Sequence, residues 1–367
     1  MRMAGVLALV VVVLAPAGRA AAQDSPLSIR GLGMPGRFES VRARATGGAF
    51  AAFDQLSMLS EASLARVPRL TATAVGATSF MRDDVNGDTG FRRTGRFPLF
   101  QVVGSLGHGF VAGGGFTTYL DRSYHVRIVD TITLGGSSQA VTDELGSDGG
   151  VTDVRVAVAR RWGQLALGAG FHLLTGSTRV SAVRTFSDTS VYGGVTQSGE
   201  VAYHGAGYSA SAVLTLTSYL AVTGIWRTDR RLTSEVGARP VAVSDLPQTV
   251  GGAIRWAPAP DVNFAASVVR RTWSVAVDSN AYNTTSWSAG ADIRLGSVPV
   301  RFGARGGDLP FGPGGQAPRE FAVAAGSGLT LSQGRGVVDV ALERLRRTTT
   351  GFTETGWTVL VGFTLRP

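Results

Sequence analysis

The chain has 367 residues, 50 of them glycine, with no cysteine and a formal net charge of +9. Without cysteine there is no disulfide framework and no zinc–thiolate site. All 35 basic residues are arginine, and they are scattered through the chain instead of gathered on one helix or tail, which argues against nucleic acid as a partner.

Residues 1–22 read as an export signal. Arg2 gives a basic start, Val6–Leu14 a short apolar core, and Ala20-Ala21-Ala22 a small-residue exit before Gln23. Such a run is too short to span a bilayer as a helix. With no cysteine after it, it is not a lipoprotein signal. No later stretch offers an unbroken apolar 20-mer, so helical spanning is not expected.

Residues 23–68 do not alternate and form a separate N-terminal unit in this reading. Ser40 to Asp54 is rich in alanine and other small residues, including Gly47 and Gly48, which would let backbone pass close to a wall. Leu56, Leu59, Ser63 and Leu64 could line a short helical face, with Asp54 as its N-cap. A unit of this length and composition is expected to fold into a lumen as a hatch. A disordered lead-in is the alternative.

From residue 69 to 367 the pattern is β. Fourteen strands are expected at 69–80, 98–107, 110–134, 150–162, 164–185, 199–217, 219–235, 247–257, 260–277, 284–295, 298–307, 319–332, 335–348 and 354–365. Short connections such as Trp162-Gly-Gln alternate with long ones at 81–97, 135–149, 186–198, 236–246, 278–283, 308–318 and 349–353. Short turns on one side and long loops on the other are the habit of bacterial outer-membrane barrels.

The faces agree. In the last strand Trp357, Val359, Val361, Phe363 and Leu365 share one side, opposite Thr358, Leu360, Gly362 and Thr364. Elsewhere the second side carries charge: Asp153 and Arg155, Asp292 and Arg294, Arg301 and Arg305, Asp339 and Glu343. An arginine facing lipid near the midplane costs about 2–4 kcal/mol, so these eight residues are expected to form a luminal charge lattice. Trp162, Tyr219, Trp256 and Trp357 fall near strand ends, where an aromatic girdle would lie. The expected fold class is all-β, a transmembrane antiparallel barrel of about fourteen strands with an N-terminal hatch containing short helices. Its solvent is the lipid of an outer membrane.

Three constellations invite a chemical reading. Asp83-Asp-Val-Asn-Gly-Asp88 invites a calcium reading but lacks the closing glutamate, since the twelfth position is Thr94; no metal or cofactor is assigned. His108, His125, His172 and His204 show no ligand spacing. A hydrolase barrel would need a serine, a histidine and an asparagine or aspartate brought together on its wall, and alternation alone cannot assemble them. No catalytic residue is assigned. Gly113, Gly114 and Gly115 interrupt the long third strand and could permit a kink.

The stretch from Arg42 through Gly47-Gly48-Ala49 to Asp54 resembles the entry of the outer-membrane long-chain fatty-acid and aromatic-hydrocarbon transporter superfamily (FadL/TodX-like, with PorV-like relatives). Pro299–Phe311 and Glu354–Thr364 also look like that group. The resemblance implies a fourteen-stranded barrel, a hatch, and a lateral exit where the third strand kinks inward; Gly113–Gly115 are the expected place. Where the family has Asn-Pro-Ala, this chain reads Glu61-Ala62-Ser63, and Phe363 stands in for a terminal aromatic that the outer-membrane assembly machinery would recognise. Gly47, Gly48, Asp54 and Gly113–Gly115 are therefore the candidate ligand-binding or gating residues. The expected activity is passive passage of a hydrophobic small molecule, such as a long-chain fatty acid or a hydrocarbon. A docking barrel for periplasmic or secreted proteins is the alternative, and a general hydrophilic pore is a third.

Overall fold

The computed structural model describes residues 25–85, 88–188, 191–276, 281–312 and 315–367; the export-signal reading of 1–22 lies outside them. The strands in chain order are β1 (Met34–Pro35), β2 (Thr71–Val85), β3 (Asp88–Gly107), β4 (Phe110–Asp121), β5 (Tyr124–Leu134), β6 (Ser137–Trp162), β7 (Leu165–Phe186), β8 (Val195–Thr215) and β9 (Leu220–Val236). They continue with β10 (Arg239–Asp245), β11 (Gln248–Ala259), β12 (Val262–Arg271), β13 (Thr284–Leu295), β14 (Val298–Asp308), β15 (Arg319–Leu331), β16 (Gly336–Thr349) and β17 (Phe352–Leu365).

Neighbours pair antiparallel, and β17 pairs back onto β2 from Leu365↔Ala72 to Phe352↔Val85. The sheet thus closes on itself, so that its first and last staves leave no edge of unpaired backbone. β4 and β5 both pair with β6 and form one interrupted stave. β10 and β11 both pair with β9 and form another. Setting aside β1, which lies inside, the wall has fourteen staves, as the alternation predicts.

The apolar parity faces outward. Val154, Val156 and Val158 are 37–63 % exposed while Asp153 and Arg155 are buried. Trp162, Tyr219 and Trp256 are exposed near strand ends, whereas Trp357, also exposed, lies mid-strand in β17 because that strand begins already at Phe352. Three of the expected long loops are largely ladder instead: residues 81–85 and 88–97, 137–149 and 239–245 are strand. A fourth, 186–198, is strand only at Phe186 and from Val195 onward. The physical reason is that alternation reports one oily face, whereas backbone pairing needs none and continues wherever two strands run side by side.

Inside lies the N-terminal segment. Helix α1 (Val41–Ala45) is capped by Ser40, whose Oγ accepts from the Ala43 N–H at 3.3 Å. Its Val41 and Ala45 join a core with Val75, Leu99, Leu120, Leu174, Leu232 and Leu360. A 3-10 turn, Ala62–Arg66, packs Leu64 against Val103, Val111, Ala157 and Ala159. Two wall glycines show how tight the fit is. A Cβ on Gly303 would lie 2.2 Å from the Thr46 carbonyl oxygen, and one on Gly168 would lie 2.5 Å from the Ala62 nitrogen. Part of the glycine surplus therefore serves the lining, where inner backbone presses on the wall.

Candidate functional site

Asp54 is not the cap of a helix over 56–64. Its carboxylate accepts from Ser40 Oγ, from Ser57 Oγ at 2.7 Å, from the Leu56 N–H at 3.2 Å, and from the Arg42 guanidinium. Every acceptor position is thus used to staple α1 to the turn that follows it. The serines then bond locally in place of a helix, as Ser63 Oγ does to the carbonyls of Ser60 (2.7 Å) and Asp54 (3.2 Å). Burial alone would raise the Asp54 pKa, but Arg42 and the two hydroxyls together hold it below the usual carboxylate range.

Seven of the eight wall charges singled out by parity are paired. Arg301 donates to Asp292 at 3.2 Å and to Asp339 at 2.7 Å. Arg305 donates to Glu343 at 3.0 Å and to Glu320 at 3.1 Å. Arg44 of α1 meets the same Glu343. Arg347 extends the lattice from Glu320 (2.9 Å) to Glu354 (2.7 Å), and Arg92 joins it through Asp83 and Glu354. Arg294 is exposed beside the β13–β14 turn, where its neighbour in register is Pro299; it makes no side-chain ion pair among the described residues.

Across the lumen a second network centres on Glu61. Its Oε1 accepts from Ser209 Oγ at 2.7 Å and Arg155 at 3.3 Å, and its Oε2 from Ser211 Oγ at 3.0 Å. Ser209 Oγ also lies 2.7 Å from His172 Nε2, and His172 Nδ1 lies 2.9 Å from Asp153. Arg227 bonds Asp153 at 2.6 Å and Asp229 at 2.8 Å, and Tyr119 donates to Asp229 at 2.8 Å. Glu61 and His172 are each 1 % exposed, so the cluster is dry unless something opens it.

This brings together an aspartate, a histidine and a serine in the order of an acyl-transfer triad. The chemistry does not follow. Ser209 Oγ is held by Glu61 as well as by His172, and Ser209 sits mid-ladder between Gly170 and Arg227, with no vacant pair of backbone donors for an oxyanion. Among the described residues no group of three or more histidine or acidic side chains is placed to hold a metal ion.

A small, mostly apolar pocket of about 30 Å³ adjoins the cluster, lined by Phe38, Met58, Tyr119, Ile225 and Trp273 among others. Two cations, Arg227 and Arg271, also reach it. Arg227 is paired with Asp153 and Asp229, with its other terminal nitrogen left without a partner among the described residues. The Arg271 side chain makes no hydrogen bond or ion pair among the described residues and stacks over Phe38, 5.8 Å from the ring centre.

The wall itself has a gap. β3 pairs with β4 only from Leu99↔Thr117 to Gly107↔Phe110. Beyond that, β3 pairs only with β2 and β5 only with β6, so no ladder joins them. The pairing stops at Pro98, which has no N–H to donate. The freed edge of β4 is taken from inside by β1, through Met34↔Asp121 and Pro35↔Leu120. An ion pair, Arg96–Asp121, crosses the gap. The break in the third stave therefore falls at residues 122–123 and not at Gly113–Gly115, which lie in unbroken ladder between Val103–Gln101 and Ala157–Arg155. These glycines serve close packing: a Cβ on Gly115 would lie 2.2 Å from the Phe100 carbonyl oxygen.

Gly47 and Gly48 both have positive φ, +69° and +96°. Gly47 alone presses on the wall, where a Cβ would lie 2.7 Å from Ala304 backbone; Gly48 faces the Glu39 carboxylate of its own segment. Parity gave the inward charges, but not Glu61, Gln101, Ser209, Arg227 or Glu320. Those depend on which inner residue meets which stave, and the Glu61-Ala62-Ser63 departure was the one sign of it.

No protein-family model and no curated protein sequence matches the chain. Solved structures do. A FadL homologue of Pseudomonas aeruginosa superposes with a TM-score of 0.61 at 11 % identity, covering 92 % of this chain and 100 % of the other. The Pseudomonas putida toluene transporter TodX gives 0.59 at 14 % identity, with 92 % and 99 % covered. The monoaromatic hydrocarbon channel CymD gives 0.57 at 13 % identity, again with 92 % and 99 % covered. At such identities the likeness is one of fold: this chain has the architecture of outer-membrane hydrocarbon channels.

Proposed function

We propose that the protein is a passive channel for hydrophobic small molecules in the outer membrane of a Gram-negative-type bacterium, with residues 25–67 as its plug. The gap between β3 and β5 carries this reading. An oily solute that leaves through the side of the wall enters lipid directly and never crosses the polar face of the lattice. The small apolar pocket beside Glu61 is a foothold that must widen to take a solute, with binding driven at about 25 cal/mol per Å² of apolar surface buried. Arg271 adds an unpaired cation there, suited to a ligand whose apolar body ends in a carboxylate. Fatty acids and neutral hydrocarbons are both within this class.

The experiment is a staple across the gap. The chain has no cysteine, so Arg96→Cys with Asp121→Cys can be bridged by a short bis-maleimide in cells. Uptake of labelled toluene and oleate is then compared with each single variant. Bridging is expected to lower uptake of at least one probe several-fold. Unchanged uptake of both, with the bridge shown to have formed, would overturn the lateral route.

A second reading has its own observation. The half of the lumen lined by β14–β17 is filled by arginine–carboxylate pairs and leaves little oily passage. A barrel closed in this way suits docking of periplasmic or secreted proteins. Recovery of a stoichiometric protein partner, together with no uptake defect in a strain lacking the gene, would favour it.

A further inference from the structure

The Glu61 cluster holds one proton more than its side chains carry in their ordinary neutral-pH forms. Asp153 accepts from Arg227 at 2.6 Å and faces His172 Nδ1 at 2.9 Å, so Asp153 is a carboxylate and Nδ1 carries a proton. At the other end Ser209 Oγ has two neighbours at 2.7 Å, His172 Nε2 and Glu61 Oε1. A serine hydroxyl has a single hydrogen. Were His172 neutral and Glu61 ionised, one of those two contacts would set lone pair against lone pair. With Asp153 ionised beside Arg227, the geometry is satisfied in two ways. Either His172 is an imidazolium that donates to Ser209, which donates to a Glu61 carboxylate; or Glu61 is the acid that donates to Ser209, which donates to neutral His172. Both arrangements hold the same number of protons.

We propose that this shared proton latches the plug to the wall, and that its loss at rising pH lets the plug come away. Glu61 belongs to the inner segment, whereas Ser209 and His172 belong to β8 and β7, so the chain of bonds runs from plug to wall. It rests on the plug reading and needs no particular ligand. The charged and titratable groups around it are Asp153 and Arg155 from β6, Tyr119 from β4, and Arg227 and Asp229 from β9, with Arg271 of β12 across the pocket. Arg227 bonds both aspartates, and Arg155 bonds Glu61 and the Gln101 side chain at 2.8 Å. Neither guanidinium can supply the missing hydrogen between His172 and Glu61. Gln101 in turn donates to the Gln55 carbonyl at 2.9 Å, so the same wall patch grips the plug at a second point that does not titrate. Release is therefore local to the segment around residue 61.

The test is ion leak through the purified full chain in a planar bilayer, recorded from pH 5.5 to pH 9. Wild type is expected to be quiet at low pH and to leak at least fivefold more as the pH rises. Glu61→Gln places a permanent N–H toward Ser209 and should stay quiet throughout; Glu61→Ala should leak throughout. A flat wild-type profile, or a Glu61→Gln profile that rises like wild type, would overturn the latch. If either variant fails to insert, amide exchange of residues 58–66 in wild type decides. Protection, corrected for intrinsic rate, should fall with pH, and constant protection overturns the proposal. Deletion of 26–66 is the reference: a deletion that does not leak sinks the plug reading itself, whereas a leaky deletion beside a flat wild type sinks the latch alone.

Discussion

Arg44 of the inner helix and Glu343 of β16 meet in a two-pronged pair, at 2.8 and 3.2 Å, although 299 residues separate them. Arg305 shares the same carboxylate, and the Glu343 side chain is 1 % exposed. One acid therefore neutralises a cation of the plug and a cation of the wall. Removing one partner of a buried pair costs about 3–5 kcal/mol, because the other charge stays behind unpaired. Glu343→Gln should accordingly lower the temperature at which the folded barrel loses its fast mobility on unheated gels. Arg44→Met, which leaves Arg305 and Glu343 paired, should cost clearly less. Equal losses in the two variants would show that the plug does not depend on this acid.

Acid should loosen the stapled turn of the plug. With its pKa held below the ordinary value, Asp54 contributes stability that is fully present above the unfolded value of about 3.9. That contribution declines as the pH falls below it and is gone once the pH passes the folded value. Protease cleavage within residues 25–67 should therefore appear below about pH 4 while the barrel stays intact. Asp54→Asn should show the same cleavage at neutral pH. Resistance of Asp54→Asn at neutral pH would mean that the four donors around the carboxylate do not hold the turn.

The barrel was legible because alternation reports which face each residue takes, and lipid makes that choice expensive to reverse. Asp153, Arg155, Arg301 and Glu343 could be placed inside from parity alone. Their partners could not. Whether Arg155 meets Glu61 or Asp229 depends on how a non-periodic segment folds within the lumen, and Glu61 looks like any surface acid until His172 and Ser209 are brought beside it. The kink went to Gly113–Gly115 for a related reason. Glycine in a strand marks either a bend or close packing, and only the register of β3 on β4 shows that packing is its use here. Pro98, the residue that does end the pairing, sits on the partner strand.

Ser209 should not react as a nucleophile. Its hydroxyl is held between Glu61 and His172, and the donors that could stabilise an oxyanion, Arg155 and Ser211, are on the Glu61 carboxylate. A fluorophosphonate probe should leave the wild-type protein unlabelled, and turnover of a p-nitrophenyl ester should match that of Ser209→Ala. Labelling that maps to Ser209 would mean that the plug shields an active triad, and the channel reading would need an enzymatic companion.

The last expectation concerns the two adjacent glycines of the plug. A side chain at Gly47 must displace Ala304 backbone, which is fixed in a ladder with Ala289 and Val323. A side chain at Gly48 meets the Glu39 carboxylate at 3.2 Å, and that group can swing aside. Both positions have positive φ, so each alanine carries a backbone penalty of about 1 kcal/mol; only Gly47 adds a clash with rigid wall. Gly47→Ala should therefore give a measurable steady leak in bilayers and Gly48→Ala a much smaller one. Deletion of 26–66 sets the upper limit, since the closed staves satisfy their own backbone hydrogen bonds and should still insert. If Gly48→Ala leaks as much as Gly47→Ala, backbone strain and not contact with the wall governs how the plug sits.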